Sequence, residues 1–260
     1  MGTPIPLDEE TKRELFAWLS ERTDPNLVTG FDAAGWPKTT WVLHSIYEDP
    51  SAGYEATHDD LRRQRVAAGL EDPTIINGVN VDDRATMVGN SLGMSGPVGV
   101  ECVRVRWREL AERLSVDFND KNVPPCLRWF PYRSWPLGLH PPDEGSLDHE
   151  SLAALVEHLA QHSPAAGSTR CVAYYAPVAG GDFTEQWMRE FQLDEVESLV
   201  DPAAGRVGTS SNWWPSDRAW MVYTDADLWA TKVSGAATLL DSITSDERLE
   251  TIEWPVIQRR

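Results

Sequence analysis

The sequence predicts an α+β fold, with a mixed or largely antiparallel sheet and helices packed on it. Three observations predict it. Helical and strand periodicities both occur along the 260 residues, yet they do not alternate strictly, as a doubly wound sheet would require. Hydrophobic residues make up 41% and charged residues 25%, the balance of an ordinary globular chain. No self-similarity recurs at the spacing of a solenoid or propeller. A chain of this length forms one domain over 1–260, with halves 1–122 and 123–260 as the alternative division.

The elements follow in order. Asp8 caps a first helix to about Arg22, with Glu9 and Glu10 at its positive end and Leu15, Phe16 and Leu19 as its apolar stripe. Asp24-Pro25 ends it. Trp41 to Tyr47 reads as a strand closed by Asp49-Pro50. Thr57 caps a second helix, with Asp59 and Asp60 in its first turn and Gly69 at its end. Residues 73–100 read as short strands and loops, and Val100 to Val105 as a strand. Trp107, Leu110, Ala111 and Leu114 share one helical face. Residues 119–146 hold six prolines, which forbid a regular helix. A helix then starts near Ser146 or Asp148 and lines up Leu152, Leu155, Val156 and Leu159. Cys171 to Tyr175 is a strand, and residues 184–191 a short helix. Trp220 to Thr224 and Leu228 to Val233 form a hairpin across Asp225-Ala226-Asp227. A helix with Leu239, Leu240 and Ile243 and a strand near Thr251 to Trp254 complete the chain.

Charge restricts the partners. With 41 acidic against 23 basic side chains, the net charge is −18. Such a surface repels phosphate backbones and anionic lipid, which argues against nucleic acid and membrane as partners, apart from a protein that imitates DNA. A basic protein or a small molecule remains. Met1 to Leu7 has no basic or apolar region of a signal peptide, and no apolar run approaches the roughly 18 residues of a membrane span. Cys102, Cys126 and Cys171 are odd in number and far apart, which fits reduced thiols in a cytoplasmic protein.

Five features could carry chemistry. Gly89-Asn-Ser-Leu-Gly93 matches the turn that exposes a hydrolase serine, making Ser91 a candidate nucleophile with His149, His158 or His162 as base. Against this, the residues that follow do not open a helix, and no histidine lies beyond His162. The competing reading is a glycine-rich turn. Gly89, Gly93, Gly96 and Gly99 could approach a phosphate, but no lysine or dinucleotide spacing accompanies them, so no cofactor is called for. His158 and His162 stand four apart on a helix, the spacing of a metal pair, but no H-E-x-x-H frame accompanies them and a solvated helix face is the preferred reading. Asp225 and Asp227 could hold a hard cation, or simply shape a turn. Lastly, the chain has 12 tryptophans. Arg128, Trp129, Tyr132, Arg133 and Trp135 crowd one irregular segment, and Trp213 and Trp214 another. Aromatics beside arginine suit a binding surface, because they bury much area for few torsions; they suit an irregular core equally.

The segments Ser211 to Trp220, Leu127 to Trp135 and Pro142 to Leu147 resemble a family of actinobacterial cytoplasmic proteins, over about residues 100–254. That resemblance implies no activity. The strand, turn, strand, helix order of 220–243 is also similar to SMI1/KNR4-type immunity domains, which implies a partner-binding, non-catalytic role. The expectation is therefore a non-catalytic intracellular protein that engages a protein partner, such as a basic one, through an acidic, Trp-rich surface. A serine hydrolase using Ser91 and a small-molecule binder with a Trp-lined pocket are the alternatives.

Overall fold

The computed structural model describes residues 7–23, 31–80, 90–94, 101–113, 115, 118, 134–176, 184–200, 208–226 and 228–253. Helix α1 (Glu9–Glu21) begins where the Asp8 carboxylate accepts from the amides of Glu10 and Thr11. Trp18 and Leu19 are buried, while Leu15 and Phe16 pack half-buried beside them. The apolar stripe read from the sequence is thus the face that docks.

The main sheet has seven strands: β1 (Lys38–Leu43), β7 (Arg170–Tyr174), β8 (Met188–Gln192), β9 (Asn212–Pro215), β10 (Met221–Tyr223), β11 (Ala230–Gly235) and β12 (Thr251–Ile252). Their order is β12-β1-β11-β10-β9-β7-β8. Every pairing described is antiparallel. Strand β1, from the first half of the chain, lies between β11 and β12 of the second half. Helices α4 (His149–Gln161) and α5 (Ala237–Thr244) cover one face, where Leu152, Leu155, Leu159, Leu239, Leu240 and Ile243 meet Cys171, Ala173, Trp213 and Val222. α1 covers the other face, over Val172, Tyr174, Trp214 and Met221.

A second sheet pairs β2 (Ile46–Glu48) with β5 (Val103–Val105) and β6 (Leu139–His140). With helix α3 (Trp107–Arg113) it closes a third apolar cluster around Trp41, Trp107, Trp135 and Trp229. Three of those indoles meet at 5.5–6.3 Å between centroids, the tilted and edge-on distances that aromatic quadrupoles favour. Helix α2 (His58–Ala67) and the hairpin β3 (Ile75–Ile76) with β4 (Val79–Asn80) stand outside both sheets.

Three expectations need correction. The strand read over 41–47 is two strands, broken at His44 and Ser45, where the chain leaves the large sheet for the small one. The helix read over 184–191 is a 3-10 turn, Glu185–Trp187, followed by β8. There the ladder to β7 (Cys171 opposite Phe191, Tyr174 opposite Met188) overrides the helical propensity of Glu, Gln, Met and Arg. The Trp213-Trp214 segment, read as irregular, is strand β9.

No helix among the described residues is long and apolar enough to cross a membrane.

Candidate functional site

The break between β1 and β2 builds a buried polar site. The His44 ring is buried. Its Nδ1 donates to the Asp143 carbonyl at 2.8 Å, which places the proton there, and its Nε2 accepts from the Thr231 hydroxyl at 2.9 Å. Burial pushes the His44 pKa down from 6.5 to about 4, so the ring is neutral with both nitrogens satisfied.

Ser45 points the other way. Its hydroxyl donates to Asp148 Oδ2 in a short bond and lies 3.3 Å from Ser151 Oγ. Asp148 is the N-cap of α4 and accepts from the Ser151 amide and hydroxyl, both at 2.9 Å. Arg104 closes the network, donating to Ser151 Oγ at 2.7 Å and to the Arg248 carbonyl at 2.8 Å. Burial works to raise the Asp148 pKa, but the bonds from Ser45 and Ser151 and the Arg104 charge outweigh it and hold the carboxyl below its usual range. Beside it, burial and the Asp148 charge push the Tyr47 phenol up to about 12.

Two recesses flank this seam. One, of ≈ 90 Å³, is walled by Leu43, Ser45, Arg104, Arg106, Trp107 and Glu250. The other, of ≈ 10 Å³, lies among Tyr47, Leu92, Gly93, Pro141 and Asp148. Its ≈ 10 Å³ is about one water molecule in size. The chemistry available is hydrogen bonding. Ser45 faces a carboxyl whose pKa is held below its usual value, and the adjoining His44 imidazole is bonded to Asp143 and Thr231. The larger recess carries three arginines, Arg104, Arg106 and Arg248, beside Glu247 and Glu250, and Arg248 is bonded to Asp246 and Glu157.

The residues singled out from the sequence fall elsewhere. Ser91 is exposed, and no hydrogen bond joins it to a histidine among the described residues. His149 Nδ1 lies 3.1 Å from Glu197. His158 Nε2 bonds Asp246 at 2.8 Å, and His162 Nδ1 donates to the His158 carbonyl at 2.9 Å. His158 and His162 therefore do not chelate together. No group of three or more His, Cys, Asp or Glu side chains placed to hold a metal occurs among the described residues. Asp225 sits in the β10–β11 turn, where its carbonyl accepts from the Leu228 amide; Gly145, at φ 66°, packs so tightly there that a Cβ would lie 2.9 Å from the Asp225 carbonyl. Asp227, Arg128, Trp129, Tyr132 and Arg133 lie outside the described residues.

The tryptophan reading is corrected. Trp135, Trp213 and Trp214 are 0%, 1% and 0% exposed and fill the core, so they are not surface anchors. Tryptophan's area and β propensity draw it into strands and cluster centres here. The exposed indole among the described residues is Trp187, at 44%, which the sequence reading passed over. It sits on the Glu185–Trp187 turn, which packs against α1. On the outer face of α1, Glu10, Glu14 and Glu21 are exposed and recur at i, i+4 and i+11, a single stripe. A Trp at the end of a short polar run, before a strand, is the sequence feature that could have pointed there.

Fold and site together define an α+β protein with a dominant antiparallel sheet, a hydrogen-bonded polar seam and an acidic outer helix. Comparison with protein-family models, curated proteins and solved structures finds no match to this chain.

Proposed function

We propose that the protein is a non-catalytic cytoplasmic binding protein that grips a cationic protein partner over the face formed by α1 and the 185–187 turn. The observation that carries this reading is one exposed indole, Trp187, on a turn packed against a helix whose outer stripe is Glu10, Glu14 and Glu21. An indole supplies area for a hot spot, and the carboxylates supply long-range attraction and selection. The net charge of −18 extends that attraction over the whole molecule. The serine-hydrolase alternative has less support, since no imidazole bonds Ser91 among the described residues and Ser45 faces an acid rather than a base. The strand, turn, strand, helix order of β10, β11 and α5 is in keeping with the resemblance to partner-binding immunity domains.

Affinity capture from a cell extract tests it. The wild type should retain basic proteins at low salt and release them as salt rises. Trp187→Ala, and separately the triple change of Glu10, Glu14 and Glu21 to Gln, should lose the same proteins. Surface changes of this kind leave stability within about 0.5 kcal/mol, so lost capture would not reflect unfolding. Equal capture by wild type and both variants rejects the reading.

A further inference from the structure

We propose that the ≈ 90 Å³ recess beside the β1–β2 break is a binding site for a tetrahedral oxyanion, a phosphate group held by Arg104 and Arg106. None of the residues lining it belongs to α1 or to the 185–187 turn, so the site stands apart from the face proposed for a protein partner. Arg106, Glu247 and Arg248 are exposed, so an ion enters from solvent and no element has to move.

Two arginines reach the recess from one strand. Arg104 and Arg106 stand two residues apart at the end of β5, where an extended chain sends both side chains to the same side. They end on neighbouring backbone carbonyls. Arg104 Nη1 donates to the Arg248 carbonyl at 2.8 Å, and Arg106 Nη2 donates to the Glu247 carbonyl. Consecutive residues are about 3.8 Å apart, which keeps the two guanidinium groups within reach of one polyatomic ion. Arg104 Nη2 also donates to Ser151 Oγ at 2.7 Å. All these acceptors are neutral. Carboxylates are plentiful in a chain with 41 acidic and 23 basic side chains, yet neither arginine forms an ion pair among the described residues. Arg104 Nε, Arg106 Nε and Arg106 Nη1 have no hydrogen bond there either. Both guanidinium groups are thus held in place without being neutralised, the preorganisation an anion site needs.

The acidic neighbours have other partners or face solvent. The Glu250 carboxyl accepts from the Trp107 and Arg108 amides at 2.7 and 3.1 Å. Glu247 is exposed. Asp148 accepts from Ser45 and Ser151. Arg248 uses Nε and Nη2 on Asp246 and Glu157, and its Nη1 has no bond among the described residues. A carboxylate ligand presents two oxygens along one edge and suits a single guanidinium fork. A phosphate directs its oxygens several ways and can meet Arg104, Arg106 and Arg248 together. The volume admits that ion but not a whole nucleotide, since pockets for ligands of that size run to roughly 300 Å³ or more.

Inorganic phosphate is the probe. Titrated into isotopically labelled full-length protein, it should shift the amide resonances of Arg104 to Arg108 and Glu247 to Glu250 in a saturable way. Sodium chloride at matched ionic strength should not. Arg106→Gln changes an exposed side chain and removes its charge; phosphate binding should weaken about tenfold. Arg106→Lys, which keeps the charge without the fork, should recover part of that loss. Arg108→Gln, one turn away from the recess lining, should bind as the wild type does. The same spectra show that each variant is folded. Methyl phosphate separates the two sources of the ion: binding equal to that of phosphate assigns the site to phosphate esters, and loss of binding assigns it to the free ion. No saturable shift, equal shifts with chloride, or tighter binding of acetate than of phosphate overturns the proposal. So does wild-type affinity in Arg106→Gln, or an equal loss in Arg108→Gln, which would mean that overall charge and not this recess attracts the ion.

Discussion

His44 shows what a single residue reports. Both ring nitrogens are bonded, and the ring is neutral because burial lowers its pKa to about 4 from an unfolded value of 6.5. The folded state therefore resists taking the proton that the unfolded state accepts. Its contribution is fully present above pH 6.5 and is lost as the pH falls from 6.5 toward 4, in all by about 3 kcal/mol for a shift of that size. Urea unfolding of the wild type should weaken over that window, and His44→Gln should flatten the profile between those two values. An identical slope in the variant would mean that other groups carry the acid sensitivity. At this same scale the sequence was least readable. The i, i+4 spacing of His158 and His162 allows a chelate without requiring one, and in the fold His158 turns to Asp246 and His162 to its own helix. The G-x-S-x-G pattern allowed a nucleophile turn as an alternative to a plain glycine-rich turn; Ser91 is exposed, and no histidine bonds it among the described residues. Spacing gives which residues share a helix face, but not which distant carboxylate or carbonyl folding brings opposite them.

At the scale of elements, α2 and α4 make a useful contrast. Both start at a side-chain cap that the sequence announces, Thr57 with Asp60 in a capping box and Asp148 with Ser151. α4 buries Leu152, Leu155 and Leu159, so tertiary packing holds it. α2 buries no residue and depends on its cap, the Arg63–Asp60 pair and the pairing of Arg62 and Arg65 with Glu71. Thr57→Ala removes about 1 kcal/mol of capping, or about fivefold in local opening. Hydrogen exchange of the α2 amides should quicken by that factor while the global urea midpoint stays nearly fixed. A matching fall in the global midpoint would show instead that α2 unfolds only with the body. Helix starts were legible because a cap acts within three residues of itself. The helix expected over 184–191 was not, because a strand at a sheet edge is decided by its partner β7, which lies well back in the chain.

The whole molecule carries a net charge of −18, so its acidic side chains outnumber the basic ones available to pair with them, even where pairs such as Lys38 with Asp241 and Arg248 with Glu157 form. Repulsion among the unpaired carboxylates disfavours the compact state. Raising salt from about 0.01 M to about 1 M shortens the Debye length from about 30 Å to about 3 Å. Thermal unfolding should therefore move to higher temperature with added sodium chloride, while capture of a cationic partner weakens. A falling Tm would mean that attractive pairs outweigh the net repulsion.

The sequence alone determined the α+β class, the capped helix starts and the polarity of the surface. Each of these follows from short-range periodicity, local hydrogen bonding or summed charge, which need no knowledge of what folds against what. Tertiary structure alone decided that Trp135, Trp213 and Trp214 are core while Trp187 is surface, and that Ser45 rather than Ser91 stands in a polar network. Burial and partnership depend on groups far apart in the chain, such as Ser45 with Asp148 or Trp18 with Trp214, and only the closed sheet sets their distances.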